Sequence, residues 1–169
     1  EGFFHTRDLK RYVLRLLLLA LLSEIPFDLM YAGTSFFPFH QNVIWTFLIA
    51  LFCMWVIERV KRRGNLWLTL LAAAGMSLAG WLAGAIAMVD YYGAGVLTVL
   101  LFYLFRGGLW WQRLGQAAGM IWINCGLLAG LVLQVNILGL TVEFPQQGFA
   151  LLALIPIWLY RGRQGYHSR

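Results

Sequence analysis

The chain reads as an all-α polytopic membrane protein, a bundle of about six transmembrane helices in this stretch, and two patterns predict it. The first is apolar content: 61% of residues are hydrophobic and only 12% are charged. The mean hydropathy is +0.72, more apolar surface than a soluble domain can cover. The second is the placement of charge. All 13 Lys and Arg residues fall at one set of ends of the apolar segments. They group as Arg7, Lys10, Arg11 and Arg15; Arg59, Lys61, Arg62 and Arg63; Arg106 and Arg113; and Arg161, Arg163 and Arg169. The alternate connections hold Glu24, Asp28, Asp90 and Glu143 with no Lys or Arg. Positive charge accumulates in cytoplasmic loops, so the basic ends are expected inside and the acidic connections outside.

A spanning helix needs about 20 mostly apolar residues, with roughly 17 to 25 acceptable. Six stretches approach that length, near 10–30, 42–58, 66–89, 91–106, 115–138 and 147–160. The fourth and sixth are short for a span. Turn chemistry separates the stretches: Arg-Arg-Gly-Asn at 62–65, Arg-Gly-Gly at 106–108 and Phe-Pro-Gln-Gln-Gly at 144–148. Short links imply antiparallel neighbours. Gly75, Gly80 and Gly84 in the third stretch, and Gly115, Gly119, Gly126 and Gly130 in the fifth, provide small faces on which another helix can pack. With no repeat or low-complexity tract, residues 1–169 are read as a single membrane domain. The chain opens on Glu1 without signal-peptide features and reads as the interior of a longer protein.

The basic balance, with a pI near 9.8, does not point to nucleic acid, because topology and anionic headgroups account for cations grouped at helix ends. Cys53 and Cys125 sit in separate apolar runs and read as buried thiols, with neither a disulfide nor a metal site expected.

The densest polar group lies at the first outward connection: Ser23-Glu24-Ile25-Pro26-Phe27-Asp28, a loop from Tyr31 to Phe39, and His40-Gln41-Asn42. Pro26 is expected to break the helical ladder and leave irregular backbone near membrane depth. The stretch serves either as the mouth of an active site or as a solvated loop with a helix cap. His40 is the candidate base, since imidazole has an ordinary pKa of about 6.5. Glu24 and Asp28 are the carboxylates beside it. Gln41 and Asn42 can bind a carbonyl, and Asn42 with Thr46 can equally bond a neighbouring helix. Asp90, Tyr91 and Tyr92 mark the next outward turn, as an interfacial belt or as a wall of the same site.

On the basic side, Arg7, Arg11 and Arg15 recur every four residues and predict one helical stripe able to hold a phosphorylated ligand. Topology and headgroup contact are the alternative. Arg15 stands apart because the apolar run 16–22 follows it, so its cation must snorkel or find a partner. The Trp residues, including Trp110 and Trp111, read as interface anchors.

Glu1-Gly-Phe-Phe-His-Thr-Arg-Asp-Leu-Lys-Arg-Tyr-Val-Leu-Arg-Leu, followed by Ser-Glu-Ile-Pro-Phe-Asp at 23–28 and His-Gln-Asn-Val at 40–43, resembles the TraX family of bacterial membrane proteins. The likeness continues at Asp90 to Gly95, at 100–106, and at 149–156 with 160–165. It implies a multi-pass acyltransferase of the bacterial inner membrane that uses acetyl-CoA and is associated with acetylation of conjugative pilin. The resemblance also implies further helices before Glu1, with an Asp-His pair in the first. Arg161 stands where the family's usual Tyr-Asn-Gly-Lys has Asn.

From these readings follows one expectation. CoA phosphates meet Arg7, Arg11 and Arg15 at the inner face, and the thioester reaches toward Glu24, Asp28 and His40. The acceptor, a protein, glycan or small molecule bearing an amine or hydroxyl, meets Gln41, Asn42, Asp90 and Tyr91. A membrane scaffold is the rival reading. A solute transporter is a third, disfavoured because helices three to six hold so few ionisable residues near their midpoints.

Overall fold

The computed structural model describes residues 2–130, 132–137 and 140–160. Glu1 and the cluster Arg161, Arg163 and Arg169 lie outside the described residues, as does most of the 160–165 motif. The chain divides into two compact units, one up to Leu104 and one from Phe105.

The first unit begins with a four-residue helix, α1 (Gly2–His5), and continues as α2 (Leu9–Ala32), α3 (Val43–Lys61), α4 (Leu66–Ile86) and α5 (Tyr92–Leu104). Each long helix starts where the sequence supplies a side-chain cap. Asp8 accepts from the Arg11 N–H, Asn42 from Ile44 and Asn65 from Leu68, satisfying donors that have no helical partner. Arg59 and Lys61 in the last turn of α3 suit the negative end of its dipole. Gly33, at φ 68°, ends α2 in the left-handed conformation and returns its N–H to the Leu29 carbonyl.

α3 is the central helix. Its Ala50, Leu51, Cys53 and Met54 form the core with Val96 and Leu100 of α5, and Phe3, Tyr12 and Tyr103 pack against it. Both expected thiols are free, Cys53 buried and Cys125 partly so. α4 and α5 approach closely because they meet at glycine. A Cβ on Gly84 would lie 2.9 Å from the Tyr92 carbonyl oxygen, and one on Gly93 would strike the backbone and indole of Trp81.

Two of the six expected spans, Val43–Lys61 and Leu66–Ile86, are helices long and apolar enough to cross a membrane among the described residues. Only 6% of the α4 window is buried against protein, so an almost wholly apolar helix presents its surface outward, an arrangement that suits lipid and not water. α2 is long enough, but it carries Lys10, Arg11, Arg15, Glu24 and Asp28. α5 has 13 residues and is short for a bilayer.

Three expectations are corrected in detail. Pro26 does not break α2, which runs on to Ala32; a proline costs the helix one N–H donor, here toward Leu22, and the turn beyond it is anchored by Asp28. The loop therefore begins at Gly33 and not at Tyr31. Arg7, Arg11 and Arg15 do not share one helical stripe, because Asp8 starts α2 and leaves Arg7 before it.

In the second unit the expected fifth span stops short. α6 (Trp110–Ile121) passes into a π-helical segment, Trp122–Leu127, and then into an antiparallel hairpin of β1 (Val132–Ile137) and β2 (Leu140–Pro145). The all-α expectation thus holds for most of the chain and fails over this hairpin. Its sequence alternates, and the register sets Gln134 opposite Glu143 and Asn136 opposite Thr141, with apolar residues paired between them. The sixth stretch is a 3-10 segment, Gln146–Ala153, leading into α7 (Leu154–Leu159). Gln116, buried on α6, donates to the Phe105 carbonyl at 2.9 Å and accepts from the Trp158 indole at 2.7 Å, tying α6 to α7.

Candidate functional site

One end of the first unit gathers the C-terminal half of α2, the connection 33–42, the first turn of α3 and the turn between α4 and α5. Glu24 and Asp28 lie four residues apart on α2 and so share a face. Asp28 is 1% exposed. Its Oδ2 accepts from the Phe37 N–H at 2.8 Å, which pins the connection over the helix, while its Oδ1 is buried with no partner among the described residues. Glu24 Oε2 accepts from the Trp45 indole at 2.9 Å and from the Asn42 amide in a short contact. Its Oε1 is likewise buried without a partner among the described residues.

Asn42 joins two helices through three bonds. Its Oδ1 caps α3 through Ile44, and its Nδ2 donates to the Ala20 carbonyl at 3.0 Å and to Glu24. Its amide is therefore spent on holding α2, α3 and Glu24 in register. Gln41 contributes through its backbone, donating to the Met88 carbonyl at 2.9 Å, while its side chain bonds the Pro38 carbonyl. Thr46 donates to the Asp90 carbonyl at 3.2 Å.

His40 sits in an aromatic slot. Its ring stacks on Tyr31 at 4.5 Å and Phe27 at 5.7 Å, and the edge of Tyr92 closes the slot at 5.9 Å. Nε2 lies 3.7 Å from Asp90 Oδ1, and Nδ1 is buried with no hydrogen-bond partner among the described residues. Tyr91 is about half exposed, at 47%, and takes part in the turn through its backbone.

The structure thus places Glu24 on Asn42 and His40 beside Asp90, and joins these pairs to Asp28 through the connection 33–42. The sequence reading missed Trp45 as part of the site; it had Tyr31 as the start of the loop and Tyr92 as a candidate wall, and both meet the His40 ring. Trp45 was within reach, since it lies one helical turn beyond Asn42 and its indole N–H needs a partner when half-buried.

At the opposite end of α2 the three Arg residues are exposed. Arg11 pairs with Asp8 at 3.1 Å. Glu58 accepts from the Tyr103 hydroxyl at 3.0 Å and lies 3.7 Å from Lys61, and the Arg59 guanidinium stacks 4.5 Å over Trp55. One end of this unit is therefore acidic and aromatic, the other basic.

The family described as TraX protein matches residues 1–162. The chain belongs to the TraX family. That span takes in both ends of the site, from Arg7 to Asp90. It also covers the hairpin, so the β segment lies inside the family's region. No curated protein and no solved structure matches this TraX family member.

Proposed function

We propose that this chain is the membrane core of an acetyltransferase, a multi-pass protein of the bacterial inner membrane that moves an acetyl group from cytoplasmic acetyl-CoA to an acceptor amine. Membership of the family linked to pilin acetylation fits that role. The observation that carries it is the set of buried atoms with unmet hydrogen-bond capacity: Glu24 Oε1, Asp28 Oδ1 and His40 Nδ1. The two carboxylate oxygens are acceptors when ionised, and so is Nδ1 when the imidazole proton is on Nε2. Leaving such an atom unpaired costs about 1–3 kcal/mol, more when it is charged. A protonated amine brings three donors to atoms of this kind; a hydroxyl brings one.

The donor enters from the basic end. Arg7 and Arg15 are exposed cations suited to phosphate, whereas Arg11 already has Asp8. Arg15 and Glu24 are nine residues apart on α2, about 14 Å along its axis at 1.5 Å per residue, a distance that the extended arm of CoA covers. In the transfer, the bound ammonium first gives up one proton to water; the neutral nitrogen then attacks the thioester carbon, a C–N bond forms and the C–S bond breaks. One proton leaves nitrogen for His40 and passes on to the departing sulfur. Glu24 and Asp28 hold the amine in place.

Acetyl transfer by purified, lipid-reconstituted variants tests the proposal. His40→Ala and Asp28→Asn are expected to lower turnover about 100-fold to 10,000-fold, the usual loss of a general acid or base, with acetyl-CoA binding retained. Arg15→Gln is expected to weaken acetyl-CoA binding and flatten its salt dependence. Near-normal turnover in both site variants removes the chemistry from this cluster.

A further inference from the structure

The turn that carries Asp90 has a strained backbone. Met88, Tyr91 and Tyr92 have φ of 51°, 58° and 49°. In that left-handed region Cβ crowds the carbonyl oxygen, and bulky side chains rarely adopt it. Three such residues within five positions persist only if the surroundings over-determine them.

The surroundings do so from three sides. From the connection 33–42, the Gln41 N–H holds the Met88 carbonyl and Gln41 bridges Val89, which is fully buried. From α3, the Thr46 hydroxyl holds the Asp90 carbonyl. From α5, Gly95 leaves room for the turn, since a Cβ there would stand 2.9 Å from the Asp90 carbonyl oxygen. The residue at the centre of these clamps is Asp90, and its carboxylate meets His40 Nε2 at 3.7 Å.

We infer that Asp90 is the positioning residue of His40: the clamped turn sets its carboxylate beside Nε2, so the neutral imidazole keeps its proton there and offers Nδ1 to the acceptor. At 3.7 Å the contact acts through charge and not as a hydrogen bond. A carboxylate at that range favours an N–H on the facing nitrogen, and what one ring nitrogen meets decides the state of the other. The stacked slot of Tyr31, Phe27 and Tyr92 fixes the ring plane, so the choice of tautomer is a choice of direction. This rests on the acetyl-transfer reading for its chemistry. When Nδ1 takes the amine proton the ring becomes an imidazolium, which Asp90 stabilises until the proton moves to the thiolate.

The test uses residues 1–169 in lipid nanodiscs with His5→Gln and His167→Gln, so that His40 is the remaining imidazole of this stretch. Ring nitrogen-15 NMR of the neutral state is expected to show Nε2 protonated and Nδ1 bare. Asp90→Ala is expected to give a mixture of tautomers and to lower kcat about 10-fold to 100-fold with KM for acetyl-CoA unchanged, and Asp90→Glu to restore part of both. Tyr91→Gly, which relaxes the turn without touching the His40 slot, is expected to loosen the tautomer preference in a protein that still folds. A wild-type ring protonated on Nδ1, or an Asp90→Ala ring with unchanged tautomer, overturns the inference. Wild-type protein that holds the Nε2–H tautomer but transfers no acetyl group supports the positioning and overturns the acetyl-transfer reading, which keeps the two failures apart.

Discussion

Replacing Asn42 by Ala removes three hydrogen bonds of one buried amide at once. The side chain is 4% exposed, caps α3 through Ile44, and bridges to Ala20 and Glu24 on α2. Loss of the cap costs about 1 kcal/mol. Loss of the bond to a charged, part-buried carboxylate costs about 1.5–3 kcal/mol, so the substitution should destabilise the first unit by about 2.5–4 kcal/mol. Trp45→Phe removes only the second donor to Glu24 and should cost about 1.5–3 kcal/mol. The assay is unfolding of purified protein in mild detergent, followed by loss of helical circular dichroism. Because both donors meet the same oxygen, the two losses should not add, and the double variant should differ from the sum of the singles by at least about 0.5 kcal/mol. An Asn42→Ala protein within about 1 kcal/mol of wild type, or strictly additive losses, refutes the network, since a lost cap alone accounts for that much.

Two further outcomes follow from the packing and the charge map. Gly93→Val should pry α4 from α5, because even a methyl group there strikes Trp81, and should lower the unfolding midpoint more than Gly75→Val, whose Cβ meets nothing within 4 Å. In protein lacking Cys53 and Cys125, single cysteines at Gly33 and Tyr92 should react with an impermeant thiol reagent from outside the cell and one at Arg62 should not; reaction at Arg62 reverses the orientation.

The first unit was legible because its helices announce themselves. Asp8, Asn42 and Asn65 stand at the caps of α2, α3 and α4, and the apolar runs after Asn42 and Asn65 are unbroken. The hairpin was misread because hydropathy alone cannot separate an apolar strand pair from half a span. The discriminating signal was the two-residue alternation, Gln134 and Asn136 on one strand and Thr141 and Glu143 on the other, which a helix would scatter over several faces. Pro26 misled in the other direction: its local cost is real, but the buried Asp28 beyond it bonds the Phe37 N–H and keeps that turn helical. In the site, residue types were readable and pairings were not. Glu24 meets Asn42 across 18 residues, and Asp90 reaches His40 only because α3 and α5 pack together. The orphaned atoms that give the cluster its chemical character belong to burial, which no short pattern encodes.

The most direct measurement is the mass of an acceptor peptide with a free α-amine after incubation with acetyl-CoA and the lipid-reconstituted protein. Wild-type protein should add one acetyl group to that amine, and the Glu24→Gln, Asp28→Asn double variant should leave the peptide unmodified while still binding acetyl-CoA. A double variant that acetylates the peptide at the wild-type rate, or wild-type protein that binds acetyl-CoA and leaves the amine free, contradicts the account.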